Sequence, residues 1–216
     1  ILISSDKAVR PTNIMGVSKR ISELIVQASS QSKNNTSFSI VRFGNVLGSS
    51  GSVVPLFKNQ INKGGPITLT HPEITRYFMS IKEAAQLVIQ SSSLALGGEV
   101  FLLDMGPSIK IINLAKEMIK LSGLNLKDEQ NPLGDIEIKV TGLKNGEKIY
   151  EELLIDNNSS KTSHPLIYKA KEKFIPEKEL KILIEELKHS IYEVDKIKCW
   201  AILKKLVPEW KPFQEN

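Results

Sequence analysis

The chain begins Ile1-Leu2-Ile3-Ser4-Ser5-Asp6-Lys7, and Met15-Gly16-Val17-Ser18-Lys19 follows after Pro11-Thr12-Asn13. The first three residues are typical of a buried strand, whereas Asn13 can cap a helix that carries apolar residues at helical spacing. Polar side chains therefore follow the strand directly, at its carboxyl end. Because ligands bind at the carboxyl ends of strands in open α/β sheets, this stretch predicts both a fold class and a site.

Strands and helices alternate along the rest of the chain. A helix at 17–28 followed by a strand at 37–43 predicts a parallel crossover, and Ser80 with Glu83 forms the capping box of a further helix. Residues 44–52 are rich in glycine. They either let the backbone come close to a ligand or form a flexible connector. The other predicted elements are a helix at 53–61, extended segments at 67–70 and 76–79, strands at 99–103 and 136–140, a helix that Ser108 caps and Gly123 ends, and two helices over 177–192 and 197–207.

The composition indicates a folded protein with a sizeable core. The chain has 216 residues, 41% of them hydrophobic, and a net charge of +5, which fits one domain or one domain with a lobe. Lysines concentrate in the last third between glutamates, a pattern typical of solvated helix faces rather than of nucleic-acid binding. The single cysteine, Cys199, excludes an intrachain disulfide. No apolar run is long enough to cross a bilayer, so we expect a soluble segment, and the spacing of His71, His164 and His189 predicts no metal site.

The first residue already lies inside a predicted core strand, and no Gly-x-Gly-x-x-Gly occurs in the sequence. The phosphate-binding turn that opens a dinucleotide fold is therefore missing. We expect a fragment of the α/β class, namely the C-terminal half of a Rossmann-like parallel sheet interleaved with a smaller mixed α/β substrate-binding lobe. We assign these to residues 1–170 and a C-terminal helical extension to residues 171–216.

Five short motifs occur in a fixed order. They are Ser4-Ser5-Asp6-Lys7-Ala8-Val9-Arg10-Pro11-Thr12-Asn13, Arg42-Phe43-Gly44-Asn45-Val46, Thr70-His71-Pro72, Thr75-Arg76-Tyr77-Phe78-Met79, and Gly146-Glu147-Lys148 with Glu151-Glu152-Leu153. Together they resemble the membrane-anchored nucleotide-sugar 4,6-dehydratases of capsular and surface polysaccharide synthesis, a family of extended short-chain dehydrogenases typified by UDP-N-acetylglucosamine 4,6-dehydratase. In that superfamily a Tyr and a Lys four residues apart share one helix face. Met15 stands at the Tyr position before Lys19, as in the long membrane-anchored branch, and a methionine cannot transfer a proton.

The resemblance implies roles for the polar residues that follow the first strand. Asp6 would be the acid that protonates the leaving hydroxyl at sugar C6, and Lys7 the base that removes the C5 proton. Ser5 with a water, or Asp6, would deprotonate the C4 hydroxyl, and the two alternatives stay open. Ser4 or Ser5 would bind the sugar. The residues implied for the cofactor NAD are Ser4, Met15 and Lys19, with Lys19 at the nicotinamide ribose.

The substrate contacts implied by the resemblance lie further along the chain. Arg76 would contact the diphosphate, because its planar fork reaches two phosphate oxygens; the alternative is an exposed strand arginine. Glu147 would reach the ribose or merely cap a helix. Phosphate could also bind at the start of the helix that opens with Gly51, Ser52 and Val53. The remaining candidates are Asn45 at the sugar nucleotide and Thr68 and Thr70 near the uridine.

The resemblance thus implies a lyase. It would convert UDP-N-acetylglucosamine or a close analogue into a 4-keto-6-deoxy sugar through transient hydride transfer to bound NAD. The alternatives are an NAD-dependent epimerase or C5-inverting dehydratase and a noncatalytic nucleotide-sugar-binding module. The partners implied are the UDP-sugar and further copies of the protein. The full-length protein would lie on the cytoplasmic side of a bacterial inner membrane, held there by a segment upstream of Ile1, and the fragment alone would be inactive.

Overall fold

Strands and helices alternate as the sequence predicts in the computed structural model, which describes residues 1–31, 35–49, 51–152 and 159–212. The helices are α1 (Ile14–Ser29), α2 (Val53–Asn62), α3 (Ile81–Ser93), α4 (Ile111–Leu121), α5 (Glu177–Tyr192) and α6 (Lys196–Leu206). The strands are β1 (Leu2–Ser5), β2 (Ile40–Phe43), β3 (Asn45–Val46), β4 (Ile67–Leu69), β5 (Thr75–Arg76), β6 (Phe78–Met79), β7 (Val100–Leu103), β8 (Ile109–Lys110), β9 (Leu126–Lys127), β10 (Ile136–Val140), β11 (Ser159–Lys161) and β12 (Ile167–Ala170). A 3-10 turn, Asp6–Ala8, follows β1 directly.

By its contacts the chain divides into two units. Unit 1 comprises Ile1–Phe43, Ala85–Asp104 and Glu152–Asn216, and unit 2 comprises Gly44–Ala84 and Met105–Glu151. Unit 1 contains a sheet in the order β1-β2-β7-β12-β11. The first three strands are parallel, and β12 and β11 join in antiparallel pairs. The predicted crossover from β1 through α1 to β2 is therefore confirmed, as is the α/β class.

Helix α1 forms where the sequence predicts it. The Asn13 side chain accepts a hydrogen bond from the Gly16 amide at 2.9 Å, which caps the helix. Apolar residues recur at helical spacing along α1, and they pack against the last two helices of the chain and the segment after them. By its contacts the C-terminal extension thus belongs to unit 1. The buried residues of this core are Val17, Ile21, Leu24, Ala28, Leu180, Ile202, Leu206, Val207 and Trp210.

Unit 2 is a mixed α/β unit with its own apolar core. Strand β10 pairs in parallel with both β4 and β9, β3 pairs in parallel with β6, and β5 pairs antiparallel with β8. Helices α2 and α4 close the core over β4 and β10. The buried residues are Phe57, Ile61, Ile67, Leu69, Ile74, Ile111, Ala115, Ile119 and Ile136.

Two helix boundaries test the predicted caps. Ser80 and Glu83 form the expected capping box, with the Ser80 amide donating to Glu83 Oε2 at 2.9 Å and the Glu83 amide to Ser80 Oγ at 3.2 Å. The predicted cap at Ser108 is wrong, because Ile109 and Lys110 pair with β5 and the helix begins only at Ile111. The strand predicted from residue 37 likewise begins at Ile40. Within the described part of the chain, no helix combines the length and apolarity needed to cross a membrane.

Candidate active site

The acid and base predicted from the sequence form one hydrogen-bonded turn at the end of β1. Asp6 Oδ1 accepts hydrogen bonds from Ser5 Oγ at 2.8 Å and from Lys7 Nζ at 2.9 Å. The Ser5 hydroxyl also accepts the Lys7 amide at 3.2 Å, so the three residues hold one another. The Asp6 side chain is fully buried, whereas the Lys7 side chain is 32% exposed.

One oxygen of this turn is unused. Asp6 Oδ2 is buried and has no hydrogen-bond partner among the residues that the structure describes. Buried carboxylate oxygens in folded proteins almost always accept a hydrogen bond, because desolvation without a partner is costly. The carboxyl group of Asp6 therefore keeps the capacity to bind or protonate a further group.

Helix α1 lies directly against this turn. A Cβ on Gly16 would collide with the Lys7 carbonyl oxygen and would lie 2.8 Å from Pro11 Cβ. Only glycine permits this approach. Met15 and Lys19, one helical turn apart, are both exposed, so the start of α1 presents a thioether and an ammonium group close in sequence to the Lys7 contact.

Ser4 lies on the opposite side of β1 from Ser5, because side chains alternate along a strand. Its side chain is 5% exposed, and its hydroxyl donates to Glu23 Oε1 at 2.6 Å. The structure therefore places the Ser4 hydroxyl inside unit 1, bonded to α1. Its predicted contact with the cofactor or sugar stays a prediction.

A buried charge cluster lies beneath β1 and β2. Glu23 of α1 accepts Arg42 Nε at 2.9 Å and Arg42 Nη2 at 2.6 Å, and Arg20 Nη1 at 3.0 Å. Arg42 also donates to both oxygens of Glu172, at 2.5 and 2.9 Å. The side chains of these four residues are at most 4% exposed. We refer to Arg20, Glu23, Arg42 and Glu172 as the charge cluster.

The cluster keeps its charges. Burial alone would raise the pKa of Glu23, but the charges of Arg42 and Arg20 and the hydrogen bonds from Arg42 and Ser4 outweigh it and hold that pKa below its ordinary value. Burial would lower the pKa of Arg42, and Glu23 and Glu172 raise it instead. No role for this cluster follows from the motifs. The available signals were Arg42 inside an otherwise apolar strand and Glu23 between the apolar residues of α1.

In unit 2, three of the predicted substrate residues come together. Glu147 Oε1 accepts the Thr70 hydroxyl at 2.9 Å and lies 3.7 Å from Arg76 Nη2. Arg76 Nη1 donates to the carbonyl oxygens of Thr75 and Ile149 at 2.7 and 3.2 Å. Its side chain is 13% exposed, so it is not the exposed strand arginine of the alternative reading.

The other predicted substrate residues lie apart from that group. The Gln60 amide binds Thr68 through both its hydroxyl, at 2.7 Å, and its backbone amide, at 3.1 Å. Asn45 lies in β3 opposite Phe78 of β6. Gly51 adopts a φ of 75°, and Ser52 precedes α2 without a side-chain capping hydrogen bond. Helix α2 begins at Val53, as predicted, and Leu153 of the last motif lies outside the described residues.

Comparison with known proteins agrees with the motifs. A family model described as "Polysaccharide biosynthesis protein" matches residues 1–172. The chain belongs to this family. The capsular polysaccharide biosynthesis protein CapD of Staphylococcus aureus is 52% identical over 188 residues, which cover 87% of this chain and 30% of CapD. The chain thus spans less than a third of that relative, and the resemblance drawn from the five motifs is confirmed at the level of the family.

Solved structures of similar proteins share the fold. The X-ray structure of Pen from Bacillus thuringiensis matches with a TM-score of 0.67 and 35% identity, covering 85% of this chain and 60% of Pen. DesIV, the dTDP-glucose 4,6-dehydratase of Streptomyces venezuelae crystallised with NAD and TYD bound, matches with a TM-score of 0.59. That match has 16% identity and covers 70% of this chain and 50% of DesIV. It supports the Rossmann-like fold of this member of the polysaccharide biosynthesis family.

Proposed function

We propose that the protein containing this chain is an NAD-dependent nucleotide-sugar 4,6-dehydratase. It converts UDP-N-acetylglucosamine or a close analogue into a 4-keto-6-deoxy sugar for surface polysaccharide synthesis. The observation that carries the proposal is the Asp6–Lys7 pair, in which the Asp6 side chain is fully buried and its Oδ2 has no hydrogen-bond partner in the described part of the chain. Self-association and tethering to the cytoplasmic side of a bacterial inner membrane belong to the same proposal.

The residues around the turn fit NAD. Lys19 offers an ammonium donor that suits ribose hydroxyls, and Met15 offers an apolar thioether one turn away on the same helix. Both side chains are exposed, on a helix start that Gly16 holds against the backbone of Lys7. NAD would supply an acceptor for the hydride of sugar C4 and return that hydride at C6.

The elimination step needs a neutral amine and a protonated carboxyl group at the same moment. The Asp6–Lys7 hydrogen bond of 2.9 Å provides this, because transfer of one proton from Nζ to the carboxylate converts the ion pair into an acid and a base. The ketone at C4 acidifies the C5 proton, so Lys7 can remove it.

The protons balance over the cycle. Lys7 takes the C5 proton, Asp6 gives its proton to the C6 hydroxyl, and water leaves, which restores the ion pair. Lys7 then returns a proton to C5. Because its side chain is 32% exposed, Lys7 can be reprotonated from water, and this proton balances the one that left the C4 hydroxyl. The proton of the C4 hydroxyl would leave through Ser5 with a water, or through Asp6, to which the Ser5 hydroxyl donates.

Unit 2 would supply contacts to the nucleotide. Arg76 would bind the diphosphate. Arg76 Nη2 lies 3.7 Å from Glu147 Oε1, and Arg76 Nε lies 3.6 Å from Glu151 Oε1. Both distances exceed hydrogen-bond length, so neither glutamate forms a bidentate pair with the guanidinium group. Glu147 and Thr70 would reach the ribose and uridine. The further proposed contacts are Asn45, Gly51, Ser52, Val53 and Thr68.

Product analysis tests the proposal. The full native protein is incubated with NAD and UDP-N-acetylglucosamine, and the product is identified by mass spectrometry and NMR. We expect a 4-keto-6-deoxy sugar nucleotide, lighter than the substrate by one water. Lys7→Ala should abolish turnover while the protein still binds NAD, and Lys181→Ala, on the exposed face of α5, should change neither.

Three results would contradict the proposal. A product that is only the C4 epimer would indicate an epimerase on the same scaffold. Full turnover by Lys7→Ala would show that the Asp6–Lys7 pair takes no part in the reaction. Binding of the sugar nucleotide without any product would indicate a noncatalytic module.

A further inference from the structure

Glu23 connects the two elements that carry the proposed catalytic residues. It lies four residues after Lys19 on α1, so both side chains belong to one helical row. Its Oε1 accepts the hydroxyl of Ser4 at 2.6 Å, and Ser4 is separated from Asp6 only by Ser5. One fully buried carboxylate thus joins the helix of Lys19 to the strand that precedes Asp6 and Lys7.

The register of the sheet strengthens this connection. Ser4 of β1 lies opposite Arg42 of β2, so the two side chains are on the same face of neighbouring strands. Both bind Glu23, with Arg42 donating to each of its oxygens. The end of β1 is therefore fixed to β2 through the backbone and to α1 through Glu23.

The segment after residue 172, beyond the family match, makes further bonds to the charge cluster and to the chain before α1. Arg20 Nη2 donates to the Lys173 carbonyl oxygen at 2.9 Å, and Arg20 Nε donates to Glu209 Oε1 at 3.2 Å. The Lys211 amide donates to the Pro11 carbonyl oxygen at 3.1 Å, just before α1. The C-terminal segment thus binds both Arg20 of α1 and the chain just before α1.

We propose that Glu23 is a positioning residue, which sets the Ser5-Asp6-Lys7 turn relative to α1 through Ser4 and Arg42; this rests on the proposed function of the turn. An apolar side chain could fill the same space but could not fix the orientation of β1 relative to α1. The carboxylate accepts along defined lines at both oxygens, and displacement of a reacting group by about 1 Å can cost on the order of 10²-fold in rate.

Glu23→Gln tests the proposal, because it keeps the shape and replaces one acceptor oxygen by a donor. Two experiments are carried out on the full native protein. Steady-state kinetics give kcat and KM for the UDP-sugar, and amide hydrogen exchange is followed in the peptide over residues 4–9. We expect kcat to fall by about 10²-fold with KM within about twofold of wild type. Exchange at residues 4–9 should become at least about tenfold faster, since each 1.4 kcal/mol of local opening free energy is tenfold.

Two further variants separate positioning from general stability. Glu99→Gln is the matched control, because Glu99 is a buried carboxylate of unit 1 that accepts the Gly97 amide and Lys169 rather than any residue of β1. It should leave kcat and exchange at residues 4–9 unchanged. Ser4→Ala should lower kcat and speed exchange at residues 4–9 in the same way as Glu23→Gln, but less strongly. Ser4→Thr, which keeps the hydroxyl, should show wild-type kcat and exchange.

The outcomes are distinct. Equal effects of Glu23→Gln and Glu99→Gln on kcat and on exchange at residues 4–9 would overturn the positioning role, as would wild-type behaviour of Ser4→Ala. If Glu23→Gln fails to fold, the two Ser4 variants decide the question alone. Absence of dehydratase activity in the wild-type protein would refute the proposed function. Faster exchange at residues 4–9 in Glu23→Gln than in wild type would still support the positioning role.

Discussion

Two carboxylate–cation pairs lie close together in unit 1, and they differ in how completely they are satisfied. In Glu23–Arg42 both carboxylate oxygens accept hydrogen bonds and both side chains are fully buried. In Asp6–Lys7 one carboxylate oxygen has no hydrogen-bond partner among the described residues, and the lysine is 32% exposed. Arginine also does not lose its proton in proteins, whereas lysine can. A saturated arginine pair can only hold structure, while an unsaturated lysine pair can exchange protons with a ligand.

The largest expected effect comes from Asp6→Asn, which removes the exchangeable proton and leaves a partly solvated Lys7. Turnover should fall by about 10²–10⁴-fold, the usual contribution of a positioned acid. The free energy of unfolding should change by less than about 1 kcal/mol, since Asn can keep the hydrogen bonds. Steady-state kinetics and urea denaturation of the same full-length preparation measure both. Turnover of Asp6→Asn within threefold of wild type would show that the Asp6–Lys7 pair, like Glu23–Arg42, is only structural.

Arg42→Met should show the opposite profile. It removes one of the two arginines that Glu23 and Glu172 share and leaves Arg20 as the remaining cation of the cluster. Breaking a buried pair costs about 3–5 kcal/mol of unfolding free energy. Chemical denaturation with a circular-dichroism readout checks this. Glu23→Gln/Arg42→Met should cost less than the sum of the single changes, because the two residues share one interaction. If Arg42→Met lowers the free energy of unfolding by less than about 1 kcal/mol, the Glu23–Arg42 pair contributes no more than an ordinary surface ion pair.

The pH dependence of stability should show a smaller difference. The pKa of Glu23 is held below its ordinary value of 4.5, so the folded protein binds fewer protons at this group than the unfolded chain does. The stabilisation is therefore complete above the ordinary value and is lost as the pH falls through the folded pKa. Arg42→Met should flatten this acid limb by up to about 1.4 kcal/mol per pH unit. Parallel acid limbs for wild type and Arg42→Met would contradict the account.

Local sequence signals predicted the local structure. Asn13 caps α1 and Ser80 with Glu83 forms a capping box, because caps involve residues only a few positions apart. The sequence also placed Asp6 and Lys7 next to each other, and the 3-10 turn after β1 brings their side chains into hydrogen-bond contact. The cap at Ser108 failed for a non-local reason, as β8 pairs with β5 and delays the helix.

The charge cluster was beyond such reasoning. Glu23, Arg42 and Glu172 lie 19 and 130 residues apart along the chain, and only the order of the strands brings them together. A pattern of single residues shows that Arg42 is unusual in a buried strand, but not which carboxylates compensate it. The same limit applies to Arg76, whose contacts with Glu147 and Glu151 depend on a distant turn of unit 2.

The most direct test is a crystal structure of the full native protein with NAD and the UDP-sugar bound. We expect Lys7 Nζ about 3–3.5 Å from sugar C5 and a carboxyl oxygen of Asp6 about 2.6–3.2 Å from the C6 hydroxyl oxygen. A sugar bound elsewhere, with Asp6 and Lys7 still paired only to each other, would contradict it.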